Sequence, residues 1–446
     1  MLSAMMFAWV AIVNGYPLVF NDSSRYLDGA IRRYIPSESP IFYGVFMIPF
    51  HLDGVSLWPV VGAQGLILAY VIRATLRIFG FVEERTFLLV SAFLAVFTAA
   101  PWFTSLIMPD FFTPICVLAM FALFRGWEGF VPLERLFLIG LALVALTSHV
   151  THIIIGLALA TLFAALRLFG RPSHRTALLV VLALPLVAFG TVVGINLIAK
   201  GRPVITRDGP VFLLARSFAD GPAYEYMRDH CGERKWHLCA AYRTLPRDAQ
   251  DFLWSPAGSV WSVGSHDEVR TEASDIVYGA IKEHPGETLL AALGNGFAQL
   301  VTYRAGVDFG SWPDTNGGSA IAAVIHRFFQ REVGHYKDSL QQQGRLDATA
   351  VNYVYSITVV LSIIGTLALV LRTRVDAGLA EFLLVVAVAL VVNAGATGGL
   401  SMVSERYQAR IVWLVPLAFA ISLLVYQRQR DVRMALRADS SLEGSA

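Results

Sequence analysis

The groups able to do chemistry in this chain sit beside apolar runs, where a charge is expensive to keep. Asp22 closes Phe20-Asn21-Asp22, and Arg25, Tyr26 and Asp28 follow within two turns. A carboxylate just outside an apolar segment has the chemistry of a general base, because partial burial lifts its proton affinity towards the working range. The competing reading is a helix N-cap, a role that Asn, Asp and Ser all fill well. Asp110 opens another apolar run in Met108-Pro109-Asp110-Phe111, a second candidate catalytic carboxylate. Ordinary capping and helix-dipole chemistry would also place an acid there.

His149 and His152 stand three apart in Ser148-His149-Val150-Thr151-His152. In a helical turn that spacing puts both imidazoles on one side. They are candidates to bind a phosphate or, with carboxylates, a divalent metal ion. Two histidines alone are a weak metal signal. Glu405, Arg406, Tyr407 and Arg410 lead into the last apolar run, and Lys200 and Arg202 end an earlier one. Arginine grips phosphate through its bidentate fork. The alternative for each of these cations is snorkelling towards the headgroups. Glu405 is grouped with them as a substrate-binding candidate, as is Arg25.

The elements that must carry these residues follow from composition. Of 446 residues, 56% are hydrophobic and only 15% charged. A soluble domain carries about 25% charged residues, so this chain cannot cover its whole length with a water-facing surface. The class expected is an all-α polytopic membrane protein. A span needs about 20 apolar residues. Ten runs qualify as candidates, at roughly 2–20, 56–79, 86–108, 110–125, 134–150, 151–168, 176–199, 350–371, 378–397 and 408–427. The first lacks the basic start and small-residue cleavage site of a signal peptide, and is counted as a span.

Basic residues set the orientation. Arg73, Arg77 and Arg85, then Arg125 and Arg135, then Arg167, Arg171 and Arg175 fall in every second loop. Arg372 and Arg374 repeat the pattern, and Arg428, Arg430, Arg433 and Arg437 follow the last run. The alternate turns at 108–110 and 149–152 hold no Lys or Arg. Both termini are therefore expected in the cytoplasm, with 15–55, 200–349 and 398–407 on the outer side. The divisions expected are a transmembrane module at 1–199, an outer (periplasmic) domain of mainly α or α/β structure at 200–349, a transmembrane module at 350–427 and a cytoplasmic tail at 428–446. Turn signals at 208–210 and 314–318 break the outer segment, and the stretch 289–301 has one apolar face suited to a membrane interface. Cys231 and Cys239, eight apart in an oxidising outer compartment, are expected to pair, while Cys116 lies inside an apolar run and reads as packing.

Several classes drop out. A net charge of +2 gives no basic face for nucleic acid. There is no Walker motif, dinucleotide fingerprint or HExxH, and no repeat. Two alternatives stay open: a non-catalytic membrane scaffold, and a transporter or flippase of lipid-linked or polar substrates, which would place ionisable groups near the midplane of its spans, where few occur here. A non-catalytic scaffold would scatter its outer charges. The pattern of outer helix ends carrying carboxylates, imidazoles and guanidiniums suits a lipid phosphate and a polar acceptor handled together.

Four features resemble the GT-C superfamily of membrane glycosyltransferases. They are an acid heading the first outer loop (Asp22), a Pro-Asp pair opening a later span (Pro109-Asp110), a long outer segment after the seventh run (200–349), and an Arg-Tyr pair before a Pro-containing last span (Arg406-Tyr407, with Pro416). The resemblance implies a polyprenyl-phosphate-linked sugar donor in the outer leaflet of a bacterial inner membrane. It implies Asp22 as the catalytic acid, and an inverting transfer to a lipid, glycan or protein acceptor. The family often doubles that acid, whereas Asp22 here is flanked by Asn21 and Ser23.

Overall fold

The apolar runs become helices, and their charged and glycine-rich punctuation becomes the turns. The structure, a computed structural model, describes residues 1–36, 39–170, 174–255, 258–307, 309–312, 319–372 and 375–443. Arg171, Arg374 and the turn at 314–318 lie outside the described residues, as does the side chain of Arg437.

The chain begins with α1 (Leu2–Phe7), α2 (Trp9–Asn14), α3 (Ser23–Arg32), α4 (Phe42–Met47), α5 (Trp58–Ile78), α6 (Glu84–Phe97), α7 (Ala100–Ser105) and α8 (Phe112–Arg125). It continues through α9 (Pro132–Ser148), α10 (Val150–Leu168) and α11 (Arg175–Lys200). Then come α12 (Gly209–Asp220), α13 (Pro222–His230), α14 (Ala249–Trp254), α15 (His266–Glu283), α16 (Pro285–Val301), α17 (Ala320–Phe328) and α18 (Val333–Asp338). The last four are α19 (Thr349–Arg372), α20 (Ala377–Leu400), α21 (Glu405–Val412) and α22 (Leu414–Glu443).

Among the described residues, six helices are long and apolar enough to cross a membrane: α5, α10, α11, α19, α20 and the α21–α22 unit. The other four of the ten runs fold as shorter or broken helices. The first breaks at Ala8, then stops at Gly15, whose φ of +80° suits a left-handed cap open to glycine without strain. The run at 86–108 breaks at Thr98, which is extended, before Pro101 starts α7. The runs at 110–125 and 134–150 give helices of 14 and 17 residues. Every residue of α8 except Arg125 is buried, so this helix is an inner pillar of the bundle.

The segment 200–349 is helical among the described residues, and no strand forms there, which corrects the α/β alternative. Its parts also divide. Helices α12–α15 close around their own hydrophobic core, including Leu214, Phe218, Met227, Phe252 and Ile276. Cys231 and Cys239 are disulfide-bonded on its surface, their Cα atoms 5.4 Å apart. Residues 305–348 instead join the core of the bundle, through Phe309, Ile325, Phe329 and Tyr336.

Two arrangements position the outer ends. The extended chain after α2 pairs in parallel with the chain after α7 at Leu18 and Leu106. The Leu18 amide donates to the Ser105 carbonyl and the Ile107 amide to the Leu18 carbonyl, both at 2.9 Å. Buried Gln341 clamps the same strand, accepting from the Val19 amide and donating to its carbonyl. Helix α16 lies against the outer end of α20 through small residues. A Cβ on Gly398 would stand 2.5 Å from the Asn295 carbonyl oxygen and 2.8 Å from the Gln299 Cβ. The opposite side of α16 exposes Leu289, Leu290, Leu293, Phe297 and Val301.

Gly398→Ala is therefore expected to destabilise the protein by about 1–3 kcal/mol, as overpacked contacts do. Gly194→Ala, where an added Cβ meets nothing within 4 Å, is expected to be neutral or to stabilise by up to about 1 kcal/mol. Thermal unfolding in detergent checks both. Equal midpoints for the two variants would contradict the close α16–α20 approach.

Candidate functional site

The parallel pairing of Leu18 with Leu106 sets the register of the site. Asp22 lies four residues beyond one partner and Asp110 four beyond the other, so the two carboxylates reach the same level. The Ser23 hydroxyl locks this by donating to the Ile107 carbonyl at 2.8 Å. Both acids line one cavity of about 330 Å³. Arg25, Tyr26, His149, Thr151, Thr397, Arg406 and Tyr407 line it as well. The α12 side chains Phe212 and Leu213 bring the α12–α15 domain to its rim.

Asp22 precedes α3 but makes no side-chain cap, so the capping reading fails. Its carboxylate instead accepts from Arg25 one turn on, with about a third of the side chain exposed. An exposed pair of this kind contributes only about 0.2–1 kcal/mol.

Asp110 differs in kind. It is buried, and Arg410, with no exposed surface, donates to it from Nη1 at 3.2 Å. The Arg406 Nε stands 3.8 Å from the same oxygen. Arg410 also donates from Nη2 to Asn393 Oδ1 at 3.0 Å and to Thr151 Oγ1 at 3.2 Å. Asn393 in turn donates to the Tyr407 carbonyl and to Gln408 Oε1, both at 2.8 Å. One network thus ties the turn before α8 to α10, α20 and α21. Charges out of water need this degree of pairing.

Arg406 presents a partly usable cation. Its guanidinium lies 4.3 Å over the Phe20 ring and it lines the cavity. Among the described residues, the guanidiniums of Arg25, Arg406 and Arg410 gather here with the carboxylates of Asp22 and Asp110.

His149 caps α10, with its Nδ1 accepting from the Thr151 amide at 3.3 Å. That bond leaves the neutral ring's hydrogen on Nε2. His152 is fully buried, with Nδ1 against the Ala145 carbonyl and Nε2 against the Thr113 hydroxyl, each at 2.7 Å. Both nitrogens are in use, so His152 is a core side chain and does not reach the cavity. Its expected role as a phosphate or metal ligand is withdrawn for that reason.

Other expected contributors also lie elsewhere. Lys200 donates to the Pro36 carbonyl. Arg202 lines a separate surface cleft with Arg207 and Arg270. Glu405 faces Arg304, 3.5 Å away. Arg410 is present but enclosed, and serves Asp110 and Asn393 rather than a ligand. The reading from sequence passed over Asn393, Thr151 and Tyr26. Asn393 alone left a signal, as a single amide in the apolar run at 378–397.

The cavity does not fit a divalent metal. His152 is consumed, Asp110 is neutralised by guanidiniums, and Asp22 is paired with Arg25. Among the described residues, the group of close-set metal-type ligands is Glu225, His284 and Glu287, in the outer segment and not among the cavity's lining. No family model, curated protein or solved structure matches the chain.

The two acids are expected to separate on substitution. Asp110→Asn leaves Arg410 buried without its counter-charge and is expected to cost about 3–5 kcal/mol. Asp22→Asn is expected to cost under about 1 kcal/mol. Unfolding midpoints of the purified variants measure the difference, and an Asp110→Asn protein as stable as wild type would contradict the network.

Proposed function

We propose that the chain is an integral membrane glycosyltransferase of GT-C type. It transfers a sugar from a polyprenyl-phosphate carrier to a lipid, glycan or protein acceptor at the outer face of a bacterial inner membrane. The observation that carries this reading is the single cavity at the ends of the bundle helices, in which Asp22, Arg25, Asp110, His149 and Arg406 meet. The guanidinium forks of Arg25 and Arg406 in its lining suit a phosphodiester. The opposite end of the bundle is basic, with Arg77 bonded to Glu134 and Arg428 to the Phe79 carbonyl. That asymmetry supports cytoplasmic termini and an outward cavity.

The reaction is a single displacement. The acceptor oxygen or nitrogen attacks the anomeric carbon as the bond from that carbon to the phosphate oxygen breaks, and the configuration inverts. Asp22 takes the acceptor proton. Its pair with Arg25 is weak enough to open when Arg25 turns to the phosphate. Arg406 and the His149 Nε2 hydrogen stabilise the charge that builds on the departing polyprenyl phosphate. Asp110 works as a positioning residue, through Arg406 and Arg410. Phe212 and Leu213 help to exclude water and bring the outer domain within reach of the acceptor.

In cells, Asp22→Asn is expected to abolish one glycan or glycolipid product while the protein accumulates normally. A drop of about 10²–10⁴-fold matches the loss of a general base. Comparative mass spectrometry of glycans and glycolipids from wild type, Asp22→Asn and a full deletion reads it. Identical profiles for all three would refute the transferase reading.

A further inference from the structure

A second cleft lies at the other end of the helices that build the cavity. It encloses about 650 Å³ and is lined by Phe124, Arg125, Trp127, Glu128, Arg167, His174 and Arg175. Helix α10 runs 19 residues from the cavity to this cleft. At 1.5 Å per residue that is about 28 Å, close to the thickness of a bilayer's hydrocarbon core. The two sites therefore face opposite leaflets.

The cleft is strongly cationic. Arg125 is partly offset by buried Glu381, 3.4 Å away. Arg167 and Arg175 have no ion-pair partner among the described residues. Among the described residues, Glu128 is the one carboxylate in the lining. One wall is rigid, because Trp127 is buried, stacks on His174 with ring centroids 6.0 Å apart, and carries Arg135 over its face at 5.0 Å. The turn bearing Arg167 runs straight into Leu168 and Phe169, which are 85% and 87% exposed. Two free guanidiniums thus adjoin an uncovered apolar pair at the membrane surface. A free phosphate would use the first and leave the second idle. A lipid uses both.

We propose that this cleft holds the headgroup of an anionic glycerophospholipid, with Arg167 and Arg175 on its phosphate and its acyl chains along Leu168 and Phe169. Basic pockets between membrane helices are suited to such headgroups. Its placement in the cytoplasmic leaflet rests on the orientation proposed above. The site itself rests only on the cleft and its charges.

The test uses the full chain purified in detergent, with phosphatidylglycerol or phosphatidylcholine added and retention read by native mass spectrometry. Wild type is expected to retain phosphatidylglycerol over phosphatidylcholine, with retention falling as salt rises. The R167Q/R175Q double variant is expected to lose about tenfold, since it removes the charge-assisted contacts. Both side chains are exposed and unpaired, and a monodisperse gel-filtration profile confirms the fold. Arg406→Gln, in the other cavity, is expected to retain the lipid as wild type does, which separates this site from the transferase reading. Equal retention in the double variant, or retention insensitive to salt, would overturn the proposal. Full displacement by millimolar inorganic phosphate would overturn it too, and would reassign the cleft to free phosphate.

Discussion

Arg410 has no exposed surface and sits inside an apolar helix end, so everything around it must answer its charge. Asp110 supplies the counter-charge, Asn393 and Thr151 accept from its Nη2, and Asn393 is itself held by Gln408 and the Tyr407 carbonyl. Four elements distant in sequence are fixed at one point by this requirement. Removing either charged partner leaves the other stranded, and a stranded buried charge is among the costliest single changes a protein can suffer. The cavity stands directly on this network, and Arg406 is aimed into it from one turn earlier in α21.

Against that fixed floor, the other acid is held lightly. Asp22 reaches the cavity through the backbone register of Leu18 on Leu106 and through the Gln341 clamp, not through its own side chain. A carboxylate positioned by backbone, with only one weak partner, remains available for proton transfer. The difference in pairing between Asp22 and Asp110 therefore divides their labour. Sequence alone presents them as equals, because each is simply an acid beside an apolar run.

How much was legible in the sequence depended on whether the signal was local. The apolar runs, the turn at 149–152 and the concentration of charge at helix ends are local features, and they were readable. Helix breaks were partly so: Gly15 and Pro17 mark the end of the first run, and Pro101 accompanies the interruption of the run at 86–108, but nothing local says that the two extended segments pair. Pairing between segments was not readable at all. His149 and His152 are matched in type and three apart, yet the tertiary fold turns one to the cavity and the other to Thr113 and Ala145. Arg406 and Arg410 sit one turn apart on α21, and only the position of Asp110 decides which of them is enclosed. The division of 200–349 into a separately cored domain and a layer packed on the bundle likewise depends on contacts no spacing encodes.

The central claim is that the cavity binds a polyprenyl phosphate by its headgroup. Photo-crosslinking with a diazirine-bearing polyprenyl phosphate, followed by peptide mapping, tests it most directly. The account expects labelling confined to peptides covering 20–26, 149–154 and 396–407, suppressed by excess unlabelled polyprenyl phosphate and untouched by neutral polyprenol. Labelling spread along the lipid-facing helices, or suppressed equally by the neutral alcohol, would contradict it.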